Sequence, residues 1–272
     1  MYNNNKQSYK IVKTSLKDDL VTLYLVNDLN ERDKLSLLID DYYEYKLKKD
    51  SLINSELFNE LNQKERLLLA YRSALRRLAI KDHSIKQIQD SLKNKFDLNT
   101  NELNSIISKL INKGYLDDEK YTINRINYLK ESLMSLKQII FKLQKEGISN
   151  DLIDKHLIDD KDDELIKIQK KANKYLKTIK GRSVSAKKDT IINKLLTDGF
   201  NYEQVREVVS LLDFSNDILL EDDLLKLEIE KAYRKYSKKY QAYELKNRIY
   251  SSLASKGFPI EAIQKQLNEM EF

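Results

Sequence analysis

Apolar positions along this 272-residue chain follow two different rhythms. In roughly the first fifty residues they alternate. Tyr9-Lys10-Ile11-Val12-Lys13-Thr14 and Leu20-Val21-Thr22-Leu23-Tyr24-Leu25-Val26 are rich in β-branched and aromatic residues with period two, and Leu35-Ser36-Leu37-Leu38-Ile39 is a third short run. Lys17-Asp18-Asp19 and residues 27–34 are turn-prone, so this segment predicts a small antiparallel meander. From about Ser51 onward the period is 3.6, which predicts helices to the end of the chain.

The helical part repeats, with glycine as its anchor. With Gly147, Gly199 and Gly257 superposed, the position seven before is Ile140, Ile192 or Tyr250, and four before is Leu143, Leu195 or Leu253. One after comes Ile148, Phe200 or Phe258; six after, Ile153, Val205 or Ile263; ten after, Leu157, Val209 or Leu267. Asp151, Glu203 and Glu261 share the fourth position after the glycine. The pattern predicts a helix that ends at a left-handed glycine, where a Cβ is penalised, and a second helix that starts at Ser149, Asn201 or Pro259. The acidic residue then lies in the first turn, favoured by the helix dipole.

A further helix precedes each pair, beginning near Asp117-Asp118, Asp162-Asp163 and Asp222-Asp223, so each unit is three helices. Residues 66–113 form a looser copy, with helices over Leu67 to Ile80, Ser84 to Asn94 and Asn101 to Lys113, and Lys95-Phe96 in place of the glycine turn. The expected organisation is a β-rich segment 1–50 and helical repeats 51–116, 117–160, 161–215 and 216–272. The fold class is mainly α: tandem three-helix repeats in an elongated, curved array, stacked because one such unit buries too little alone.

Composition narrows the field. Five glycines and one proline are too few for sandwiches, barrels or a dinucleotide-binding fold over most of the chain. The absence of Cys excludes disulfides, thiolate metal sites and thiol nucleophiles, and the two His, His83 and His156, leave little room for imidazole chemistry. Both are expected to be solvated surface residues. No stretch is apolar over the ~20 residues of a membrane span, and Met1-Tyr2-Asn3-Asn4-Asn5-Lys6 leads into no apolar signal region. The expected location is cytoplasmic.

The junction Gly114-Tyr115-Leu116-Asp117-Asp118-Glu119-Lys120-Tyr121 resembles the signature of the RecX regulatory proteins. Residues 74–84, Ala-Leu-Arg-Arg-Leu-Ala-Ile-Lys-Asp-His-Ser, resemble the first repeat helix of that family and the turn after it. Leu143-Gln144-Lys145-Glu146-Gly147-Ile148 resembles the turn of its second repeat. The likeness covers roughly residues 9–270 and is best in 66–157. It departs from the family pattern in the glycine missing from repeat one and in Ile80-Lys81-Asp82, where a more basic run is common. The resemblance implies a non-enzymatic modulator, most often an inhibitor, of the RecA recombinase filament in DNA repair, recombination and the SOS response. Single- or double-stranded DNA is the further partner it suggests, and the chain is expected to act as a monomer. The alternative is an autonomous DNA-binding protein, since the three-helix units resemble helix-turn-helix modules.

Charge is the most informative feature beside the repeats. The chain carries 49 basic and 43 acidic residues, a net of +6. Residues 167–194 hold ten basic side chains against Asp189, and 226–248 hold eight against three. Residues 198–223 instead carry eight acidic side chains against Arg206. Such bands suit a polyanion or a partner with its own alternating field. The candidate partner- or DNA-binding residues are Lys170, Lys171, Lys174, Lys177, Arg182, Lys187, Lys188, Arg234, Lys235 and Lys238, with Gly181 letting backbone approach an anion. Tyr233, Tyr236, Tyr240 and Tyr243 follow helical spacing and are expected mainly to pack. No phosphate-binding glycine motif is present. The acidic clusters 117–119, 159–164 and 221–223 each precede a helix, so they are read as caps rather than metal ligands. No cofactor, metal or catalytic residue is expected.

Overall fold

A computed structural model describes residues 8–270; the polar Met1–Lys6 stretch lies outside them. The chain forms two compact units. One is built from residues up to Thr122 with Glu146–Ile148, the other from Ile123–Lys145 with residues from Ser149 on.

The first unit opens with an antiparallel sheet of β1 (Ser8–Lys17), β2 (Leu20–Asn27), β3 (Arg32–Leu38) and β4 (Leu52–Asn54), in the order β3-β2-β1-β4. The period-two alternation sends Val21, Leu23 and Leu25 of β2 to the same buried face as Ile11, Leu35 and Leu37. Asp18 and Asn30 adopt the left-handed conformation in the two hairpin turns (φ 57° and 60°), which short polar side chains tolerate. β4 and the short helix α1 (Ile39–Glu44) go beyond the three expected strands.

The helix α2 is longer than its sequence pattern implied. It runs over Ser55–Leu78 rather than from Leu67, and the Asn54 side chain caps it by accepting from Leu57 N. Its first half buries Phe58 and Leu61 against the sheet, and Tyr9 stacks on Phe58. Its second half buries Ala70 and Ala74 in a separate core with α3 (Ile85–Lys95) and α4 (Thr100–Asn112). Roofing the sheet is the reason for the extra turns: among the described residues it is the first half of α2 that packs Leu57, Phe58 and Leu61 against the sheet's apolar face.

The remaining helices are α5 (Asp118–Glu131), α6 (Leu136–Lys145), α7 (Asn150–His156), α8 (Lys161–Thr178), α9 (Val184–Thr197), α10 (Tyr202–Ser210), α11 (Ser215–Leu219), α12 (Glu221–Tyr236), α13 (Ala242–Ala254) and α14 (Ile260–Asn268). With α2–α4, the groups α5–α7, α8–α10 and α12–α14 make tandem triplets. The glycine turns are as the spacing predicts: φ is +88° at Gly147, +84° at Gly199 and +79° at Gly257. Gly199 N–H donates to Leu196 and Phe200 N–H to Leu195, the paired bonds of a Schellman ending, and Gly257 with Phe258 repeats them. Four of the five aligned apolar positions are buried in all three copies, and the fifth is half-buried. The position eight before the glycine is a further shared core site: Ile139, Ile191 and Ile249 are all fully buried.

One joint between a triplet and the turn of the next occurs three times. Ser84, Ser135 and Ser183 each cap the second helix of a triplet, and each is buried. Ser84 Oγ donates to the Glu146 carbonyl beside Gly147, and Ser135 Oγ donates to the Asp198 carbonyl beside Gly199 at 2.6 Å. Ser183 uses its backbone N–H, donating to the Lys256 carbonyl beside Gly257 at 3.2 Å. A carboxylate from the following triplet completes each joint by accepting the next N–H: Asp118 from Ile85, Glu164 from Leu136 and Glu221 from Val184. The acidic clusters therefore do cap helices. Asp117 and Asp160 cap their own, accepting from Glu119 and Lys120 and from Asp162 and Asp163. Asp118, Glu164 and Glu221 cap the second helix of the triplet before.

The glycines are doubly constrained, since a Cβ on Gly257 would lie 2.4 Å from Ala186 Cβ, whereas one on Gly114 (φ +71°) would meet nothing within 4 Å. Gly114→Ala is expected to lose only the left-handed penalty of ~1–2 kcal/mol. Gly257→Ala is expected to lose clearly more, because the turn must also back away from α9. Urea denaturation of the two variants measures the difference, and equal losses would contradict the joint.

Candidate functional site

The basic band of residues 167–194 is sorted by how α8 and α9 pack. α8 buries Glu164, Lys167, Ile168 and Ala172 on one face, α9 buries Lys187, Ile191 and Leu195, and both line the core of the third triplet. Lysines on those faces are spent inside the fold. Lys167 is 3% exposed, with its ammonium 2.8 Å from Asp163 and 3.1 Å from Glu164. Lys171 lies 2.8 Å from Asp198 and over the Phe200 ring. The same Asp198 oxygen accepts from the Tyr175 hydroxyl, and burial together with that carboxylate pushes the Tyr175 phenol up to about 12. Lys187 is buried 2.6 Å from Asp217, and Lys188 is half-buried over the Phe214 ring.

What remains for a partner is smaller and better defined. Lys170, Lys174 and Lys177 are exposed at spacings of four and three, which is one face of α8, and Lys180 and Arg182 continue exposed beyond its end. Of the ten candidate residues, the fold therefore brings Lys170, Lys174, Lys177 and Arg182 to the surface of one region, and turns Lys171 and Lys187 inward. Gly181 adopts the left-handed conformation (φ +71°) in the loop after α8. A Cβ there would be 3.4 Å from the Glu228 carboxylate, so negative charge already occupies that side.

On α12, Arg234 is exposed and 3.5 Å from Glu230, Lys235 lies over Tyr236, and Lys238 is exposed just past the helix. Tyr233, Tyr236 and Tyr240 pack against the fourth triplet's core, while Tyr243 is 78% exposed. Glu228 is buried between Lys231 and Lys256. Burial alone would raise its carboxyl, but hydrogen bonds from the two ammonium groups outweigh it and hold the group below the usual carboxylate range. Lys171–Asp198 and Glu228–Lys256 occupy matching places, seven residues after Glu164 or Glu221 and one before the turn glycine, with the signs exchanged. That exchange was visible in the residues once the two acidic anchors were aligned.

His83 corrects an expectation. It is 7% exposed rather than solvated, with Nδ1 3.2 Å from the Gln87 side chain. Burial lowers its pKa. His156 is half-buried in the last turn of α7.

The chain and its architecture have relatives. A regulatory protein RecX from Streptococcus mutans is 34% identical over 256 residues, which cover 91% of this chain and 95% of that protein. The chain belongs to the RecX family of regulatory proteins. A RecX from Streptococcus gordonii is 29% identical over the same share of both chains. The family model described as the third three-helix domain of RecX matches residues 221–267, which are α12–α14. A crystal structure of regulatory protein RecX aligns with a TM-score of 0.54 at 18% identity, over 74% of this chain and 98% of that one, a likeness of fold. In this family member tandem helix triplets follow a small sheet along the chain, and among the described residues no helix is long and apolar enough to cross a membrane.

The buried His83 carries a pH signature. With its folded pKa below the unfolded value of ~6.5, the neutral ring stabilises the fold fully above ~6.5, and that contribution is lost as pH falls through the folded pKa. The His83 ring resonances should titrate below those of a free histidine, and His83→Gln should flatten the loss of stability between neutral and mildly acid pH. An NMR titration at or above the free value would contradict the burial.

Proposed function

We propose that this RecX-family chain binds the RecA recombinase filament and inhibits its activities in recombination and repair, without chemistry of its own. Successive triplets would lie along the filament groove, bridging protomers and hindering the ATP-driven changes or strand exchange there. The observation that carries the reading is the α8 stripe of Lys170, Lys174 and Lys177 with Lys180 and Arg182: it keeps its charge exposed while neighbouring lysines are neutralised inside. A stripe of this kind is suited to the phosphates of filament-bound DNA or to an acidic protomer surface. Arg234, Lys235 and Lys238 on and beyond α12 extend the same chemistry. The carboxylate clusters support a non-catalytic role, because Asp117, Asp118, Asp160, Glu164 and Glu221 among them are occupied as helix caps. We place the protein in the cytoplasm, acting as a monomer.

Reversing Lys170, Lys174 and Lys177 to Glu tests the stripe. Exposed substitutions of this kind normally change stability by less than ~0.5 kcal/mol each, so the fold should persist. Inhibition of recombinase strand exchange should weaken at least ten-fold, and the gap from wild type should narrow as salt screens the wild-type contacts over ~8–10 Å. Equal inhibition by the folded variant at low salt would exclude the stripe as a docking surface. Tight binding to DNA without recombinase, with affinity falling steeply with log salt, would favour the autonomous DNA-binding reading instead.

Purified protein should also release no phosphate from ATP and cleave no DNA with Mg²⁺ or Mn²⁺. Turnover abolished by Asp117→Ala/Asp118→Ala would overturn the capping role of those carboxylates.

A further inference from the structure

Between the third and fourth triplets the chain displays an apolar surface that the basic stripe does not explain. Leu211 is 75% exposed, Ile218 60%, Leu219 79% and Leu220 59%, four large aliphatic side chains within ten residues, with Leu227 at 48% on the helix that follows. Single exposed leucines are ordinary, but a cluster of this density marks an interaction surface.

The segment is held from beneath. Leu212 and Phe214 are buried in the core of the third triplet, the Lys188 ammonium lies 4.9 Å above the Phe214 ring, and Lys187 is 2.6 Å from Asp217. Asp213 ties the turn by accepting from Ser215 N–H at 2.9 Å. A pinned backbone that turns its aliphatic side chains outward is pre-organised for docking, which reduces the ordering cost of association.

The rim is acidic. Glu203, Glu207, Asp222 and Asp223 are exposed and make no ion pair among the described residues. The one cation in 198–223, Arg206, lies over the Tyr202 ring. An apolar centre with an acidic rim fits a lysine- and arginine-rich protein surface with a shallow apolar dent, and repels nucleic acid.

We infer that residues 211–227 form a second docking surface of opposite charge to the α8 stripe, which seats on a basic surface of a recombinase protomer. The inference rests on the recombinase reading above and names the contact by which the acidic band takes part in it. The chain would then grip the filament through two chemistries, cations toward DNA or acidic surface and an acid-rimmed apolar knuckle toward protein.

The test is equilibrium binding of the full chain to recombinase filaments formed on single-stranded DNA, and separately to the DNA alone. Variants are Leu211→Ser/Leu219→Ser and Asp222→Asn/Asp223→Asn, each checked for unchanged melting and helical signal. Asparagine removes the charge at nearly constant shape, and no side-chain cap bond at the start of α12 is lost with it. Both variants should bind filament at least ten-fold more weakly while any affinity for bare DNA is unchanged. Wild-type filament binding matched by both folded variants would remove this surface as a contact and leave the recombinase reading standing. Wild type that fails to bind filament at all would remove that reading, and this inference with it. Sedimentation that finds a wild-type dimer made monomeric by Leu211→Ser/Leu219→Ser would overturn the assignment in favour of a second copy of the chain.

Discussion

The tandem construction depends on a buried hydrogen bond that has nowhere else to go. Ser84 and Ser135 each bury a hydroxyl against a main-chain carbonyl 62 or 63 residues further along, that of the residue just before a turn glycine. A buried hydroxyl or carbonyl left without a partner costs ~1–3 kcal/mol, more than the made bond gains, so the arrangement acts chiefly by excluding alternatives. Only a glycine lets the turn come close enough, and only a carboxylate at Asp118, Glu164 or Glu221 satisfies the neighbouring N–H. Serine, glycine and acid therefore form a single specification for how one triplet meets the next.

The same logic explains why net charge was a poor guide to the binding surface. Long cationic stems that reach from one element to another are neutralised on arrival: Lys171 by Asp198, Lys187 by Asp217 and Lys256 by Glu228. Buried pairs of this sort set geometry more than they stabilise. On the proposed reading, what a partner meets is the remainder, a short row of cations on α8 and carboxylates beside an apolar segment. Opposite charges on adjacent parts of one unit favour selective association with a partner of patterned charge over indiscriminate binding to any polyanion.

The N-terminal sheet follows a different rule. Its strands have one apolar face and need a roof, which α2 supplies by running on without a break into the first triplet. A single continuous helix serving two cores couples the sheet to the triplet mechanically, which a flexible linker would not.

Much of this was legible in the residues because it is local. Period two against period 3.6, a glycine at a helix end, and Ser149 or Asn201 opening the next helix all report interactions within a few positions, and the elements that rest on those signals formed where they lie, whereas β4, α1 and the first half of α2 had no such local signal. The aligned apolar positions around Gly147, Gly199 and Gly257 were buried for the same reason: one helical face is set by its own spacing. The partners of Ser84, Asp118, Glu164 and Lys187 were not legible. A serine or aspartate at a helix start satisfies the local capping rule equally well whether it caps its own helix or another, and a lysine on a helix is solvated until some distant carboxylate is packed beside it. Those choices are made by which groups the folded chain brings within ~3 Å, and that distance is a property of the assembled triplets rather than of any stretch of sequence.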